Sequence, residues 1–508
     1  MNPDTAELAI VESASEPAVP SEPRVPAWPA AGVASRPWMR LRAGLRSVEL
    51  PQLDAERATA VRESWRALWS SRLLVWAAAV GTLVTFGFGP VRHAFNPPGL
   101  MRGFGWLGDL LAAPAARWDS AWYLVIAHYG YRPDLGAFTS PRTAFFPLYP
   151  FGLKGIALTG APPVLAGVLL SLLALGLALY GIHRLTTLEL GAGGRLSLGD
   201  GRNGEVARLA VTLTAFAPMA FYLSAVYSES LYLALSVGLF WSARQGRWAL
   251  AGVLGALAAG TRSTGLVLAL PALVLYLYGP RLDRPIDFSH DGPLRLHDLW
   301  TRAGAPAALR ALLARLRPRY RLRRDVLWLA LLPAGVVLYG ALLALGGGDA
   351  LAPFHAQDVW GRHFAGPYLG AWDALQAAFD GLRQLLSLQS QHSYFPLAAG
   401  NPFVAAGHNL FLLCFLLAAI PATVGVLRRL PLAYGAYVVA ALALPLSYPV
   451  AAQPLMSLPR FLVVLFPLNI WFASWLAGRP RLRRPAIAVS AVLMGVFVAQ
   501  FATWHWVA

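Results

Sequence analysis

The sequence predicts an all-α protein, a polytopic bundle of transmembrane helices, on three observations. Hydrophobic residues make up 57% of the 508 residues, and charged residues only 13%. Because soluble domains average roughly a quarter charged residues, this composition excludes an ordinary water-soluble enzyme. Apolar runs long enough to cross a bilayer recur along the chain. Arginines cluster in the short segments between these runs, as they do in the loops of membrane proteins.

The positive charge of the chain indicates contact with lipid rather than with nucleic acid. The formal net charge is +17, and Lys154 is the one lysine among the basic residues. Since the arginines flank apolar runs, they match cytoplasmic loops that face anionic lipid headgroups. The predicted partners therefore include the lipid bilayer and exclude nucleic acid. The single cysteine, Cys414, excludes an intrachain disulfide.

The chain is predicted to divide into a tail and a membrane domain. Residues 1–68 are expected to form a cytoplasmic tail, disordered over 1–38 and then basic and partly helical, without a cleavable signal. Residues 69–508 are expected to form one transmembrane domain. The arginines that precede the first span and predict a cytoplasmic N-terminus are Arg40, Arg42, Arg46, Arg62, Arg66 and Arg72.

About eleven membrane spans are expected, within a range of about 10 to 13. The predicted spans are 72–90, 162–187, 206–224, 229–244, 248–261, 264–279, 326–346, 405–427, 431–447, 459–477 and 486–504. The apolar stretch 145–160 is broken by Pro147 and Pro150. The basic segments on both sides of it allow only one crossing between residues 91 and 195. We therefore predict that 145–160 is a re-entrant or interfacial helix.

Two long segments, 91–160 and 347–404, are predicted to lie on the extracytoplasmic side, opposite the basic cytoplasmic loop 280–325. Both are rich in Trp, Tyr, His and Pro rather than in Arg. Long outward loops on a helical bundle are candidate functional surfaces. The sequence shows no internal repeat and no nucleotide-binding or zinc-ligand motif. We predict no cofactor, and the sequence leaves dependence on a divalent metal open.

The first external segment contains a carboxylate among aromatic residues. On a helix, positions 118, 122, 125 and 129 share an apolar face, and Asp119 and Tyr123 fall together on the neighbouring one. A partly desolvated carboxylate at a membrane interface is suited to act as a general base. The alternative is structural: Asp119 caps a short helix or pairs with Arg117.

Two further motifs carry polar groups close to the membrane boundary. The run AFFPLYP, which contains Tyr149, predicts a turn from loop into membrane, or else an aromatic anchoring belt. The run FYLSAVYSES places Tyr227 and Glu229 at the outer end of a span. An acidic residue at this depth indicates a functional site. The alternative for Glu229 is a helix start at which Ser228 is the N-cap.

Isolated arginines occur on the predicted outer face, where positive charge is disfavoured. Arg262 lies between two short spans, Arg460 begins another span, and Arg142 lies beside the proline turn. Each needs a carboxylate or phosphate as its partner. The segment 347–404 supplies further aromatic and basic groups: Phe354, His355, Trp360, Arg362, His363 and Trp372.

The order of these motifs resembles that of a known family. The run RWDSAWYLVIAHYGY, which starts at Arg117, is followed by AFFPLYP, SAVYSES and TRSTGL. This set resembles the PIG-V-type mannosyltransferases, which belong to the GT-C class of polytopic glycosyltransferases. The resemblance implies a GT-C-like fold, a polyprenyl-phosphate sugar as donor and an active site on the extracytoplasmic side. It also implies that Asp119 is the catalytic carboxylate, with Trp118 and Tyr123 beside it.

Two departures from the family pattern bear on the acceptor. Eukaryotic members have a His where this chain has Trp122, and an acidic residue where it has Arg142 and Thr143. We therefore expect the acceptor to be an envelope lipid, glycan or protein rather than the eukaryotic one. The residues expected to bind substrate are Arg117, Trp118, Trp122, Tyr123, Arg142, Tyr149, Tyr227, Glu229, Arg262 and Arg460.

The resemblance leads to the hypothesis of a glycosyltransferase in the cell membrane that moves mannose from a polyprenyl-phosphate donor with inversion. Asp119 would be the base, and Arg262, Arg460 or Arg142 would bind the leaving phosphate. Two alternatives stay open: a polytopic lipid or glycan transporter, and a noncatalytic partner in envelope assembly. A transporter typically shows internal repeats and charged groups at the membrane midplane, whereas the charged groups here are predicted at the outer rim.

Overall fold

The part of the chain that the structure describes is almost entirely helical. The computed structural model describes residues 54–89, 96–97, 100–101, 105–131, 142–191, 203–284, 318–388, 401–450 and 452–508. Within these ranges there is no β-strand, only an isolated antiparallel bridge between Arg362 and Val450. The predicted all-α class is therefore confirmed. The predicted disordered tail 1–38 and most of the predicted loop 280–325 lie outside the described residues.

The described helices belong to the unit Ala55–Ala508. The α-helices are α1 (Ala55–Phe86), α2 (Gly105–Ala112), α3 (Ser120–Tyr129), α4 (Leu148–Ala157), α5 (Pro163–Gly191), α6 (Asn203–Ala215), α7 (Glu229–Arg244), α8 (Trp248–Thr261), α9 (Ala269–Tyr278), α10 (Ala334–Leu345), α11 (Ala352–His355), α12 (Pro367–Ser387), α13 (Pro402–Arg429), α14 (Leu432–Ser447), α15 (Leu458–Leu462), α16 (Phe466–Ala477) and α17 (Pro480–Ala502). Short 3₁₀ helices span Ala113–Ala115, Ala220–Leu223, Ser263–Leu268, Arg324–Leu331 and Ala356–Trp360.

Among the described residues, four helices are long and apolar enough to cross a membrane. They are α1, α5, most of α13 and α17, and the bent pair Arg324–Leu331 and α10 makes a fifth if it counts as one span. Most of the other predicted spans are helices of 10 to 16 residues. A span needs about 20 residues to cross a hydrocarbon core of about 30 Å. A multi-helix membrane protein is thus supported, and the predicted count of about eleven stays a prediction.

Prolines divide several predicted spans into shorter pieces. The predicted spans 229–244 and 248–261 match α7 and α8 residue for residue. In contrast, the predicted span 459–477 is interrupted before α16, which has Pro467 in its first turn. The predicted span 326–346 bends by 42° between its two helical pieces, at Pro333. Because proline cannot donate the helical hydrogen bond, it ends or bends a helix.

The stretch 145–160 forms a short helix that folds back on its neighbour. Helix α4 has 10 residues and is therefore about 15 Å long, too short to cross the bilayer. It packs against α5 through Tyr149, whose Oη lies 3.1 Å from the Gly167 carbonyl oxygen and 2.8 Å from Ser171 Oγ. This geometry agrees with the predicted re-entrant or interfacial helix.

The helix ends that carry the predicted cytoplasmic arginines contact one another. Arg244, at the end of α7, pairs with Glu189 near the end of α5, with 2.5 Å between Nε and Oε1. Tyr434, near the start of α14, donates a hydrogen bond to the same Oε1 at 2.8 Å. Arg483, near the start of α17, pairs with Glu205 at the start of α6. These contacts agree with the predicted grouping of the basic segments, whose side of the membrane stays a prediction.

Arg72 occupies a different place from the one predicted for it. It was expected before the first span, but it lies in the middle of α1 and is fully buried. Its Nη1 donates to the Ala220 carbonyl at 2.7 Å and to Ser224 Oγ at 2.9 Å, and its Nη2 donates to the Ala215 carbonyl at 2.8 Å. The guanidinium therefore satisfies backbone groups of another part of the chain.

This contact explains why the predicted span 206–224 is not one helix. Helix α6 ends at Ala215, and Pro218 follows it. The carbonyl groups released at the break need donors, because an unpaired buried carbonyl is costly. Arg72 supplies these donors, so a break in one helix is stabilised by an arginine of another.

We expect Arg72→Leu to lower the free energy of unfolding by about 3 kcal/mol, because it leaves buried carbonyl groups without a donor. Thermal unfolding of the purified protein in detergent measures the effect. Arg66→Leu is the matched control, since Arg66 is an exposed arginine of the same helix. Equal unfolding midpoints for the two variants would contradict the role given to Arg72.

Candidate active site

Four charged side chains from distant parts of the chain form a charge cluster: Asp119, Glu229, Arg262 and Arg460. Arg460 Nη1 donates to Asp119 Oδ2 at 2.5 Å. The Nε atom of Arg460 lies 3.2 Å from Glu229 Oε1. Arg262 Nη1 donates to the same Oε1 at 2.6 Å. The four residues thus form one chain of alternating charges, and all four were predicted separately as site residues.

The local backbone presents Asp119 at the start of α3. Trp118 has a φ of 54°, so the chain turns in a left-handed conformation just before the helix. Asp119 occupies the N-cap position, but its side chain makes no capping hydrogen bond. Its ion-pair partner is Arg460, not Arg117. The two structural alternatives for Asp119 therefore do not describe its side chain.

Glu229 is the first residue of α7 and the most deeply buried member of the charge cluster, with 1% of its side chain exposed. Its negative charge lies at the positive end of the helix dipole. Ser228 stands at the N-cap position without a side-chain capping bond. The Ser228 hydroxyl is instead 2.8 Å from Tyr123 Oη. The structural alternative for Glu229, an N-cap bond from Ser228, is therefore not formed.

A sharp turn after α8 directs Arg262 towards Glu229. Helix α8 ends at Thr261, and Arg262 has an extended backbone before the 3₁₀ helix Ser263–Leu268. The amide of Gly265 donates to the Arg262 carbonyl at 2.9 Å. A Cβ atom at Gly265 would lie 2.3 Å from the Ala259 nitrogen, so only glycine permits this approach.

Arg460 lies on the five-residue helix α15, between the two carboxylates. Its guanidinium carbon is 5.9 Å from the ring centroid of Tyr222 and 5.5 Å from that of Tyr227. Phe461 has its ring 5.3 Å from the Arg262 guanidinium carbon and 5.9 Å from that of Arg460. Aromatic rings therefore lie against both guanidinium groups. Because these rings exclude water, the attraction of the guanidinium groups to negative charge is stronger.

The four side chains of the charge cluster differ in their exposure to solvent. The exposed fraction of the side chain is 16% for Asp119, 13% for Arg262 and 11% for Arg460. Two carboxylates and two guanidinium groups make the charge cluster formally neutral. Asp119 is its most exposed member and the more accessible of its two carboxylates.

Among the described residues, three buried polar atoms of the site have no hydrogen-bond partner: Glu229 Oε2, Tyr222 Oη and Arg460 Nε. Arg460 Nε lies at ion-pair distance from Glu229 Oε1 but without hydrogen-bond geometry. Such atoms are rare in proteins, and an unseen water or ligand commonly explains them. Tyr222 was not among the predicted site residues, although it precedes Tyr227 in the same motif. Phe461, next to Arg460, was also missed, because a lone apolar residue carries no chemical signal.

The side chains of Arg117 and Trp118 contact residues 502–506 rather than the charge cluster. Arg117 Nε donates to the Ala502 carbonyl at 3.0 Å, and its guanidinium carbon is 4.8 Å from the Trp504 ring. The Trp118 ring makes edge contacts with Trp504 and Trp506. Because Trp118 precedes α3, the predicted helix face that joins it to position 122 does not form.

Trp122, Tyr123 and Tyr149 form an aromatic wall between α3 and α4. Trp122 stacks on Phe145 with ring centroids 5.8 Å apart. Tyr123 makes edge contacts with Phe145, with Tyr149 at 5.0 Å and with Tyr227 at 6.2 Å. The wall therefore reaches the charge cluster through Tyr227.

Arg142 is buried near the end of α3, and its Nη1 donates to the Gly130 carbonyl at 3.0 Å. It forms no contact with the charge cluster in the described residues.

The second external segment contacts the first. Thr143 Oγ1 donates to the Ala352 carbonyl at 3.2 Å, and the Trp360 ring lies 6.3 Å from that of Phe145. The two segments that the sequence predicted as functional surfaces therefore meet. Across the described residues, no three His, Cys, Asp or Glu side chains form a group that would hold a metal ion.

The part of the chain that contains most of the charge cluster is similar to known proteins. Residues 93–275 match the family model described as Mannosyltransferase (PIG-V). The GPI alpha-1,6-mannosyltransferase 2 of Cricetulus griseus is 30% identical over 192 residues, which are 35% of this chain and 35% of that protein. The Rattus norvegicus protein of the same name is also 30% identical over 192 residues, 35% of this chain and 36% of the relative.

The chain spans about a third of the length of the curated relatives that it matches. No solved structure matches it. Asp119, Glu229 and Arg262 lie within the matched region, and Arg460 lies beyond it. The predicted resemblance to the PIG-V-type mannosyltransferases is therefore confirmed for residues 93–275, the region that supplies three of the four residues of the charge cluster.

Proposed function

We propose that this protein is a multi-pass membrane glycosyltransferase that transfers mannose from a polyprenyl-phosphate donor to an envelope lipid, glycan or protein. The observation that carries the proposal is that Asp119, which lies within the family-matched region, belongs to a buried charge cluster. The names of the curated relatives support mannose as the sugar. The apolar helices support a location in the membrane.

Asp119 has the geometry of a general base. Its Oδ2 is held by Arg460, while its Oδ1 has no hydrogen-bond partner in the described part of the chain. With 16% of the side chain exposed, Oδ1 is open to an acceptor hydroxyl. A base must lie within hydrogen-bond reach of the proton that it removes. Arg460 then acts as a positioning residue that fixes the carboxylate.

The proposed reaction is a single displacement at the anomeric carbon. The acceptor oxygen forms a bond to this carbon as the bond between the carbon and the phosphate oxygen breaks. Asp119 takes the acceptor proton, and polyprenyl phosphate leaves with the electron pair. One displacement inverts the anomeric centre, so a β-linked mannosyl phosphate yields an α-mannoside.

The leaving phosphate needs positive charge close to the reacting carbon. Arg262 uses only Nη1 for Glu229, and its other two guanidinium nitrogens, Nε and Nη2, have no hydrogen-bond partner in the described residues. It is therefore suited to share its charge with a phosphate. Glu229 holds both arginines through one oxygen and so sets their separation.

We propose that the charge cluster faces the extracytoplasmic side of the cell membrane. It lies at the N-terminal end of α7, whereas the pair formed by Arg244 and Glu189 lies at the C-terminal end of the same helix. Basic segments favour the cytoplasm. We therefore propose a cytoplasmic position for Arg244 and, at the opposite end of α7, an extracytoplasmic position for Glu229 and Asp119, on the side from which the proposed donor would bind.

We expect Asp119→Asn to lower sugar transfer at least about 100-fold, because the amide cannot accept the acceptor proton. The assay uses purified protein in nanodiscs, radiolabelled polyprenyl-phosphate mannose and a membrane lipid extract. Asp380→Asn is the control, since Asp380 is an exposed carboxylate of α12. Full transfer by folded Asp119→Asn would reject Asp119 as the base.

We expect Arg460→Lys to lower kcat at least about tenfold while the KM for the donor changes little. Lysine keeps the positive charge but cannot hold two carboxylates with a planar fork, so Asp119 loses its fixed position. Arg383→Lys, at an exposed arginine of α12, is the matched control. A raised donor KM with unchanged kcat would instead make Arg460 a donor-binding residue.

A further inference from the structure

Arg362 lies in the second predicted external segment and takes no part in the ion pairs of the charge cluster. It pairs with Val450 in an antiparallel bridge, and its Nη1 donates to the Tyr448 carbonyl at 3.1 Å. The amide of Ala365 donates to the Ser447 carbonyl at 2.9 Å. These bonds attach the segment 362–365 to the end of α14, so the position of Arg362 is set by backbone contacts.

The surroundings of Arg362 connect it to both sides of the site. Trp360, two residues earlier, contacts Phe145, which packs on the aromatic wall of α3 just after Asp119. The chain that follows Val450 leads to α15 and Arg460. Burial lowers the pKa of Arg362 to about 10, and the charge of Arg460 acts in the same direction while that of Asp119 opposes it. Arg362 therefore stays protonated at neutral pH and interacts electrostatically with both groups.

Arg362 forms no ion pair with a carboxylate of the described residues. Arg460 and Arg262 each pair with a carboxylate, and the charge cluster is formally neutral. In the described residues, Arg362 has the Tyr448 carbonyl as its acceptor and no carboxylate as a partner. A partly buried guanidinium without a counter-charge is suited to bind an anion, and its fork matches the oxygens of a phosphate.

The exposed aromatic rings next to Arg362 indicate that the anion it binds is the phosphate group of a lipid. Phe364 is 71% exposed and packs against Tyr448, which is 38% exposed, with ring centroids 5.4 Å apart. An exposed aromatic pair next to a guanidinium offers an apolar surface for a chain and a charge for its headgroup. A free inorganic phosphate would use only the guanidinium.

On the basis of the function proposed above, we propose that Arg362 binds the phosphate group of the lipid-linked donor. Arg460 then keeps its pairing with the two carboxylates, and Arg362 meets the negative charge that develops on the leaving phosphate. Arg362 thus joins Arg262, to which a share of the phosphate charge was assigned above. The sequence prediction named only Arg262, Arg460 or Arg142 for this role. The assignment of Arg362 makes residues 360–365 part of the donor site.

The test measures binding directly, without sugar transfer. Farnesyl phosphate, farnesol and inorganic phosphate are titrated onto the full chain in detergent by microscale thermophoresis. We expect Arg362→Gln to weaken farnesyl phosphate binding at least about tenfold, since hydrogen bonds to charged groups are strong. Farnesol binding should not change, and inorganic phosphate should bind more weakly than farnesyl phosphate. Arg383→Gln, an exposed arginine of the same segment, should bind all three probes like the wild type.

Each other outcome overturns the assignment. Equal farnesyl phosphate affinity for Arg362→Gln and the wild type rejects Arg362 as the phosphate ligand. An equal loss of farnesol binding makes its role structural, and inorganic phosphate bound as tightly as farnesyl phosphate rejects the lipid. If Arg362→Gln does not fold, Arg362→Met, which keeps an unbranched stem, is judged by the same criteria. Failure of the proposed function appears separately, as the absence of sugar transfer by the folded wild-type protein in the nanodisc assay.

Discussion

The guanidinium of Arg460, held between Asp119 and Glu229, is the interaction on which the arrangement of the site depends. Removing one partner of a buried ion pair typically costs about 3–5 kcal/mol, because the other charge is left uncompensated. Once these ion pairs have formed, loss of any one member is costly, and this keeps α3, α7 and α15 together. Because the guanidinium of Arg460 pairs with both carboxylates, a displacement of α3, α7 or α15 alters the ion pairs of all three helices.

Breaks in the helices allow the residues of the charge cluster to come together. Arg262 leaves the end of α8 at a turn that only Gly265 permits, and Arg460 lies on a short helix that ends before α16 begins. A continuous helix would satisfy its own backbone but would carry these side chains past the site. Arg72 supplies the donors that a third break requires, between Ala215 and Ala220. Backbone irregularity at membrane depth is tolerated where protein groups satisfy it.

Much of the helical pattern could be read from local features. Apolar runs and prolines predicted α7 and α8 with their observed bounds, because both signals act within a few residues. The four members of the charge cluster were each recognised as isolated charges near an apolar boundary. Arg117, Trp118 and Arg142 were recognised in the same way, yet the structure gives them contacts with backbone and C-terminal aromatic residues instead. Neighbours in a motif do not need to be neighbours in a site.

Composition and hydropathy are sums over the chain, and they were therefore enough to predict an all-helical membrane protein. The ordered motifs indicated the family that residues 93–275 resemble. The pairing of charges is a property of contacts between remote residues. Asp119 and Arg460 are separated by 341 positions, and nothing in either local run selects that partner. The same holds for Arg362, whose lack of a carboxylate partner is visible only after the other arginines have found theirs. Long-range packing therefore assigns the partners, since an ion pair depends on distance in space and not along the chain.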